Sequence, residues 1–423
     1  MDNEIFDYSN DIKFKINLSL NNKNPVRTFL TNICEEIGLI GKKGKTYEKH
    51  LKTICANLLL LYLNRRGEFV YYSRNNNAYK NIKRYNPNSI SVRRIVRIIN
   101  LLFENKLINH RKGYHNKYDR KFSYQSRMRP TAKFIKLSKD TFIKRDHIIN
   151  LDTDVILLKN SKKVLSNFKD NIFTKKIRSE CLDFNYGLSK CRISLKKVKE
   201  VNNYTKDHNI DYKNKRYYRV FNESFDNGGR FYGPWWLQIP SELRRFILIN
   251  GNKTVEHDFS SLIIHQLYSE KGLNYFEENT YSNDPYTLKD VPKSERKLNK
   301  AIIQIALNCK DFKTLNNALI YEFKSGNLKG NRPKKEEIKR RLKIFCEMNP
   351  KISDYIYRTK ALKFQFNDSE IARSIINKCT RNLVDILSIH DSFIVENNNS
   401  EFLLNAMKSA VIEARFTSIP LIK

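Results

Sequence analysis

The chain has 423 residues and carries 79 Lys and Arg against 44 Asp and Glu, a formal charge of +35, with 40% hydrophobic and 12% aromatic residues. That apolar content suffices for cores in about two or three domains and excludes general disorder, while the charge excludes a neutral-surfaced metabolic enzyme and calls for a polyanionic partner. No apolar run is long enough to span a bilayer, the start MDNEIFDYSN has no signal-peptide pattern, and seven scattered cysteines form no C-x-x-C pair. The expectation is therefore a cytoplasmic protein with reduced thiols, no membrane role, and nucleic acid as partner. Along the chain, Leu51, Ile54, Cys55, Leu58, Leu59 and Tyr62 recur at helical spacing and predict a helix over 47–64, ended by Arg65, Arg66 and Gly67. Asn88 or Ser91 can cap a second helix that turns Ile95, Ile98, Ile99, Leu102 and Phe103 inward and displays Arg93, Arg94 and Arg97. A basic run over 110–121, which includes Lys112, leads to a β-like return through Arg127, Arg129, Pro130, Thr131, Lys133 and Phe134.

Helix, basic helix, hairpin is the order of a winged helix-turn-helix, and the pattern resembles winged-helix modules of plasmid replication initiators and regulators. A basic helix fits a major groove while a hairpin wing tracks phosphates. Residues 1–150 are thus expected to form a winged-helix-like nucleic-acid-binding region, with Arg93, Arg94, Arg97, Lys112, Arg127 and Arg129 as contacts. The plain alternative is a solvated basic face. Leu157, Leu158, Val164, Leu165, Phe168 and Ile172 then suggest polar helices, so 151–220 is expected to be a helical connector or thumb-like element.

Residues 221–423 hold the chemistry. The stretch 255–259 predicts a strand presenting Asp258 at its end, and 387–395 predicts a hairpin with Asp391 at its turn. Two carboxylates that meet in space repel unless divalent cations lie between them, and such a pair suits in-line phosphoryl transfer on two Mg²⁺ ions. Arg296 and Lys300 fall four residues apart on one helix face and, with Arg230, could clamp a triphosphate. Taken alone, each acidic residue fits a turn and each basic pair fits an exposed helix face. Trp235 and Trp236 read as core or, second to that, as template-stacking side chains, His257 and His265 as structural, and Asp284-Pro285-Tyr286 as an ordinary turn or the opening of a helical insertion.

As an ordered set, Gly229-Arg230, Leu237-Gln238-Ile239-Pro240 and Arg244-Arg245, Asp258-Phe259-Ser260, Arg296-x-x-x-Lys300 and His390-Asp391-Ser392 resemble the motifs of family A DNA polymerases and single-subunit phage-type RNA polymerases. The resemblance covers about 228–395 and implies an α+β polymerase palm, an antiparallel sheet with helices, carrying a short helical fingers insertion. It implies that Asp258 and Asp391 bind two Mg²⁺ ions, with Mn²⁺ able to substitute, and that Phe259 lends a backbone carbonyl. Lys300 and Arg296 would hold triphosphate oxygens, His390 would sit by the primer terminus, and Arg230 and Gln238 would contact primer or template.

The chain departs from the family pattern at several positions. Gln304 and Asn308 stand where the family has a large apolar or aromatic residue and then Tyr. Ser392 matches the RNA enzymes, whereas bulky Ile263, five residues after Asp258, favours deoxynucleotides. The resulting expectation is a minimal DNA polymerase of a phage, plasmid or other mobile element, without an exonuclease domain, acting on a DNA or RNA template-primer with nucleoside triphosphates. The alternatives are a primase or small RNA polymerase, and a non-catalytic DNA-binding replication initiator with a degenerate palm.

Overall fold

The computed structural model describes residues 11–64, 69–76, 78–79, 84–114, 124–208, 210–359 and 361–423. Arg65, Arg66, Gly67 and positions 115–121 of the basic run lie outside the described residues. The chain is a mixed α+β protein of two compact units, Met1–Asp154 with Asn203–Asp211 and Val155–Asn202 with Tyr212–Lys423.

The first unit runs β1 (Ile12–Lys13), β2 (Leu18–Leu20), α1 (Asn24–Glu36), α2 (Lys42–Asn64), β3 (Val70–Tyr72), α3 (Val92–Glu104), β4 (Ile108–Arg111), β5 (Ser126–Pro130), α4 (Ala132–Asp140) and β6 (Ile148–Asn150). One sheet has the order β1-β3-β5-β4, and β2 pairs with β6. Helix α3 buries Ile95, Ile98, Ile99 and Leu102 against Ile54, Leu58 and Leu59 of α2, as the spacing of these residues requires. The strand expected to continue through Lys133 and Phe134 stops earlier. Thr131 accepts a hydrogen bond from the Phe134 amide and starts α4, so both residues are helical.

The second unit runs β7 (Ile156–Lys159), β8 (Leu165–Ser166), α5 (Ile172–Lys190), β9 (Ile193–Leu195), α6 (Lys199–Asp207, divided by the unit boundary), β10 (Tyr218–Asn222), β11 (Ser224–Tyr232), α7 (Ser241–Arg244), β12 (Ile247–Ile249), β13 (Asn252–Asp258), α8 (Leu262–Glu270), α9 (Tyr275–Glu278), α10 (Arg296–Asn308), α11 (Phe312–Lys324), α12 (Lys335–Met348), α13 (Ala361–Arg381), β14 (Ile386–Ile389), β15 (Ser392–Glu396) and α14 (Ser400–Glu413). Leu157, Leu158 and Leu165, expected on helices, lie in strands instead. The Asn160 side chain accepts from the amides of Lys162 and Val164 and folds β7 back onto β8, while β7 pairs in parallel with β10. A five-stranded antiparallel sheet has the order β14-β15-β13-β12-β9. No disulfide joins the seven cysteines, and among the described residues no helix is long and apolar enough to cross a membrane.

Candidate active site

Strands β13 and β15 pair with Asp258 opposite Ser392, and β14 and β15 close with Ile389 opposite Ser392. His390 and Asp391 therefore form the two-residue turn, in which His390 takes φ +61°, a left-handed conformation uncommon for a side chain of its size. The Phe259 amide donates to the Asp391 carbonyl at 3.4 Å, so Asp258 at the end of β13 and Asp391 in the hairpin turn lie at the same sheet end. On its other edge Asp258 exchanges two backbone hydrogen bonds with Lys423, at 2.9 and 3.0 Å. The Phe259 ring is buried and meets Phe393 edge-on.

Asp258 stands exposed at the strand end, yet its carboxyl is pushed up to about 7. Protein packed around the group is the larger cause and repulsion from Asp391 the next, with Lys300 opposing both. Glu256, two residues earlier and hence on the same strand face, adds further repulsion. Glu256 accepts from the Ser392 hydroxyl and pairs with Arg244 at 3.3 Å. Burial most, and the charge of Arg230 next, lower the His390 pKa and favour the neutral imidazole, while Asp391 pulls it up and Arg244 adds a smaller lowering.

Arg296, Lys300 and Gln304 form an i, i+4, i+8 row along α10, the opposite face being buried through Asn299, Ile302, Ile303, Ala306 and Leu307. Beneath the row lies fully buried Tyr286: its ring is 5.6 Å from the Arg296 guanidinium and 5.9 Å from the Lys300 ammonium, and Gln304 donates to its hydroxyl at 3.4 Å. Asp284 grips Arg296 through two N–H groups. Asn308 is exposed at the end of α10, and Ile263 packs on the apolar cluster of Ile264, Leu267 and Tyr286.

Arg230, on β11, donates to Asp368 of α13 at 2.8 Å. Burial raises the Asp368 carboxyl to about 6, Arg230 pulling it down and Asp391 pushing it up. Gln238 is exposed just after the short turn 235–237, whereas Trp235 and Trp236 are core residues at 2% and 0% exposure. Sequence reasoning missed Asp368, Glu256 and the placement of Tyr286. Asp368 had a visible signal: it interrupts the apolar stripe of Phe364, Ile371, Ile375 and Cys379 on α13.

Asp258 and Asp391 are hard oxygen donors whose mutual repulsion Lys300 and Arg244 offset only in part, which fits a divalent cation. Among the described residues no group of three or more His, Cys, Asp or Glu side chains converges to hold a metal. A cation here would complete its shell with water and substrate oxygens, the habit of Mg²⁺ rather than of structural Zn²⁺.

In the first unit, Arg93, Arg94, Arg97 and Lys112 are exposed, and Arg97 lies over Tyr47 at 5.5 Å. Arg111 and Arg129 lean on the Phe69 ring at 5.3 and 5.0 Å. Arg127 departs from the expected contact set. It is only 6% exposed and pairs with Asp11 at 3.0 Å, so its charge is neutralised inside the fold.

No protein-family model matches the sequence, and no curated protein matches it. Among solved structures, the POL domain of Pol1 from M. smegmatis in complex with DNA primer-template and dNTP aligns with 59% of this chain at 11% identity and a TM-score of 0.35, a likeness too slight to carry an argument. This chain spans about half the length of that structure, 50%.

Proposed function

We propose that the second unit is a template-directed nucleotidyltransferase that extends a primer with deoxynucleoside triphosphates, and that the first unit holds nucleic acid in the manner of a winged helix. The observation that carries this reading is Asp258 at the end of β13 beside Asp391 in the turn that leads into the paired strand β15, with the Lys300 ammonium within electrostatic reach. Two Mg²⁺ ions held by Asp258, Asp391 and the Phe259 carbonyl would neutralise the phosphoryl oxygens and the developing charge.

The remaining roles belong to the chain itself. Lys300 and Arg296 take the triphosphate oxygens, and Gln304, Asn308 and Ile263 border the nucleotide. Neutral His390 sits beside the primer terminus, while Arg230 and Gln238 hold the strand near the junction. In the first unit Arg93, Arg94, Arg97, Lys112 and Arg129 supply phosphate contacts.

Extension of a labelled primer with Mg²⁺ and dNTPs, with wild type beside Asp391→Asn, tests the reading. Template-dependent extension lost in the variant supports it; equal extension by both proteins removes Asp391 from the chemistry, and no extension by either leaves the initiator alternative. Ser392 favours the second reading, RNA synthesis as a primase or small polymerase. Preference for rNTPs, or synthesis on unprimed template, would establish that instead.

A further inference from the structure

A carboxylate on the apolar stripe of a helix is costly to bury unless it is paired. Asp368 is such a group, at 9% exposure, and its pairing is incomplete: Oδ2 accepts from Arg230 while Oδ1 is buried without a hydrogen-bond partner. The pair is also asymmetric. The Asp368 side chain is 10% exposed and that of Arg230 27%, so the carboxylate stays inside and the guanidinium reaches outward.

The backbone around both residues is stapled. Arg219, fully buried, donates to the Gly229 carbonyl at 2.7 Å, to the Ser369 hydroxyl at 3.0 Å and to Glu370 at 2.9 Å. Gly229 takes φ +80°, and a Cβ there would stand 2.8 Å from both Phe221 and Ser369. Segment 229–230 of β11 and segment 368–370 of α13 are thereby locked in one register. Arg230 acts on His390, and Asp368 and Asp391 sense each other's charge, which places the pair at the Asp391 end of the site.

The geometry points to Asp368 as a positioning residue that aims Arg230 at a phosphodiester near the recessed 3′ end of a bound strand. The inference rests on the reading of the second unit given above. One N–H of Arg230 is spent on the carboxylate and Nε is buried, so the remaining terminal N–H groups are the ones left for phosphate oxygens; a guanidinium held in this way has less rotamer freedom to lose on binding.

The test compares binding of labelled primer-template with binding of a blunt duplex, by anisotropy in EDTA with the full chain, so that contacts made by the first unit cancel. Asp368→Ala is expected to reduce the preference for the recessed end about tenfold and to raise the primer-template KM while leaving the nucleotide KM unchanged. Asp368→Asn, whose amide oxygen accepts the same N–H, should recover most of the preference. In an Arg230→Ala background Asp368→Ala should have no further effect. An unchanged preference in Asp368→Ala, or losses that add in the double variant, overturns the inference. Should Asp368→Ala lose its cooperative melt, Asp368→Asn with and without Arg230→Ala carries the same comparison. Wild type that prefers the recessed end without extending it sinks the polymerase reading alone; wild type that extends primers while Asp368→Ala behaves identically sinks this one alone.

Discussion

Three arginines of the first unit, Arg97, Arg111 and Arg129, lean on aromatic rings, although Arg84, Arg127 and Arg145 of that unit pair with carboxylates, whereas the arginines around the candidate site of the second unit are gripped by carboxylates. Arg97 rests on Tyr47 and Arg111 and Arg129 on Phe69, while Arg230 pairs with Asp368, Arg296 with Asp284 and Arg244 with Glu256. A ring attracts a cation without neutralising it, so a surface built this way keeps its field for a polyanion. A carboxylate cancels much of the charge and fixes its direction in return. The first arrangement suits holding any stretch of backbone, the second suits placing one reacting group. Arg219 combines both devices, lying between Phe221 and Phe231 at 5.0 and 4.9 Å and paired with Glu370.

The contrast can be broken most forcefully at the acidic pair. Asp391→Asn should lower Mg²⁺-dependent extension about 10³-fold in single-turnover assays, as loss of a central electrostatic group does. The same substitution should raise the melting temperature of the cation-free protein, because it relieves Asp258. The sign follows from Asp258: its folded pKa of about 7 lies above its ordinary 3.8, so the native state binds the extra proton between those values. Stability is lost as pH rises from 3.8 towards 7, and the full cost is present above 7. Stabilisation by Asp391→Asn should therefore be measurable at pH 8 and absent below pH 4.

Arg219→Met should cost about 3 kcal/mol in a urea melt, since Glu370 loses a buried partner. A loss under about 0.5 kcal/mol would mean that the α13 register does not depend on this cation. At limiting Mg²⁺, extension should fall up to about tenfold per pH unit below about 7, as protons compete for Asp258. Excess Mg²⁺ should move that inflection to lower pH, and an inflection indifferent to Mg²⁺ would place the titrating group elsewhere. The smallest effects belong to the first unit. Arg129→Ala should reduce duplex affinity a few-fold and lower the salt slope by about 1, and Phe69→Leu should weaken binding about twofold without changing the slope. An unchanged slope in Arg129→Ala would remove that residue from the contact set.

The sequence made the acidic pair legible because its signals are local. A strand ending at Asp258 and a tight hairpin around Asp391 are written in runs of a few residues, and the Arg296, Lys300, Gln304 row follows from helical spacing alone. What escaped depends on partners far along the chain. Arg127 read as a phosphate contact because parallel pairing of Ile12 with Val70, which brings Asp11 beside the hairpin, leaves no local mark. Asp368 meets Arg230 across 138 positions, and its only local sign is a charge on an apolar stripe. Helical periodicity over 157–172 competed with the Asn160 turn, and the turn prevailed because β10 offered β7 a ladder.

Strand β14 is the last strand of the five-stranded sheet on its side, yet Ser388 within it is served by a side chain on its free edge. The Tyr217 phenol donates to the Ser388 carbonyl at 2.6 Å, accepts from the Ser388 amide at 2.9 Å, and accepts from the Trp236 indole at 2.7 Å. A single hydroxyl thus occupies the hydrogen-bonding positions that an added strand would use. The border of the five-stranded sheet is plugged at this position against recruitment of another chain, so a concentrated preparation should resist edge-to-edge association at the strand leading into Asp391.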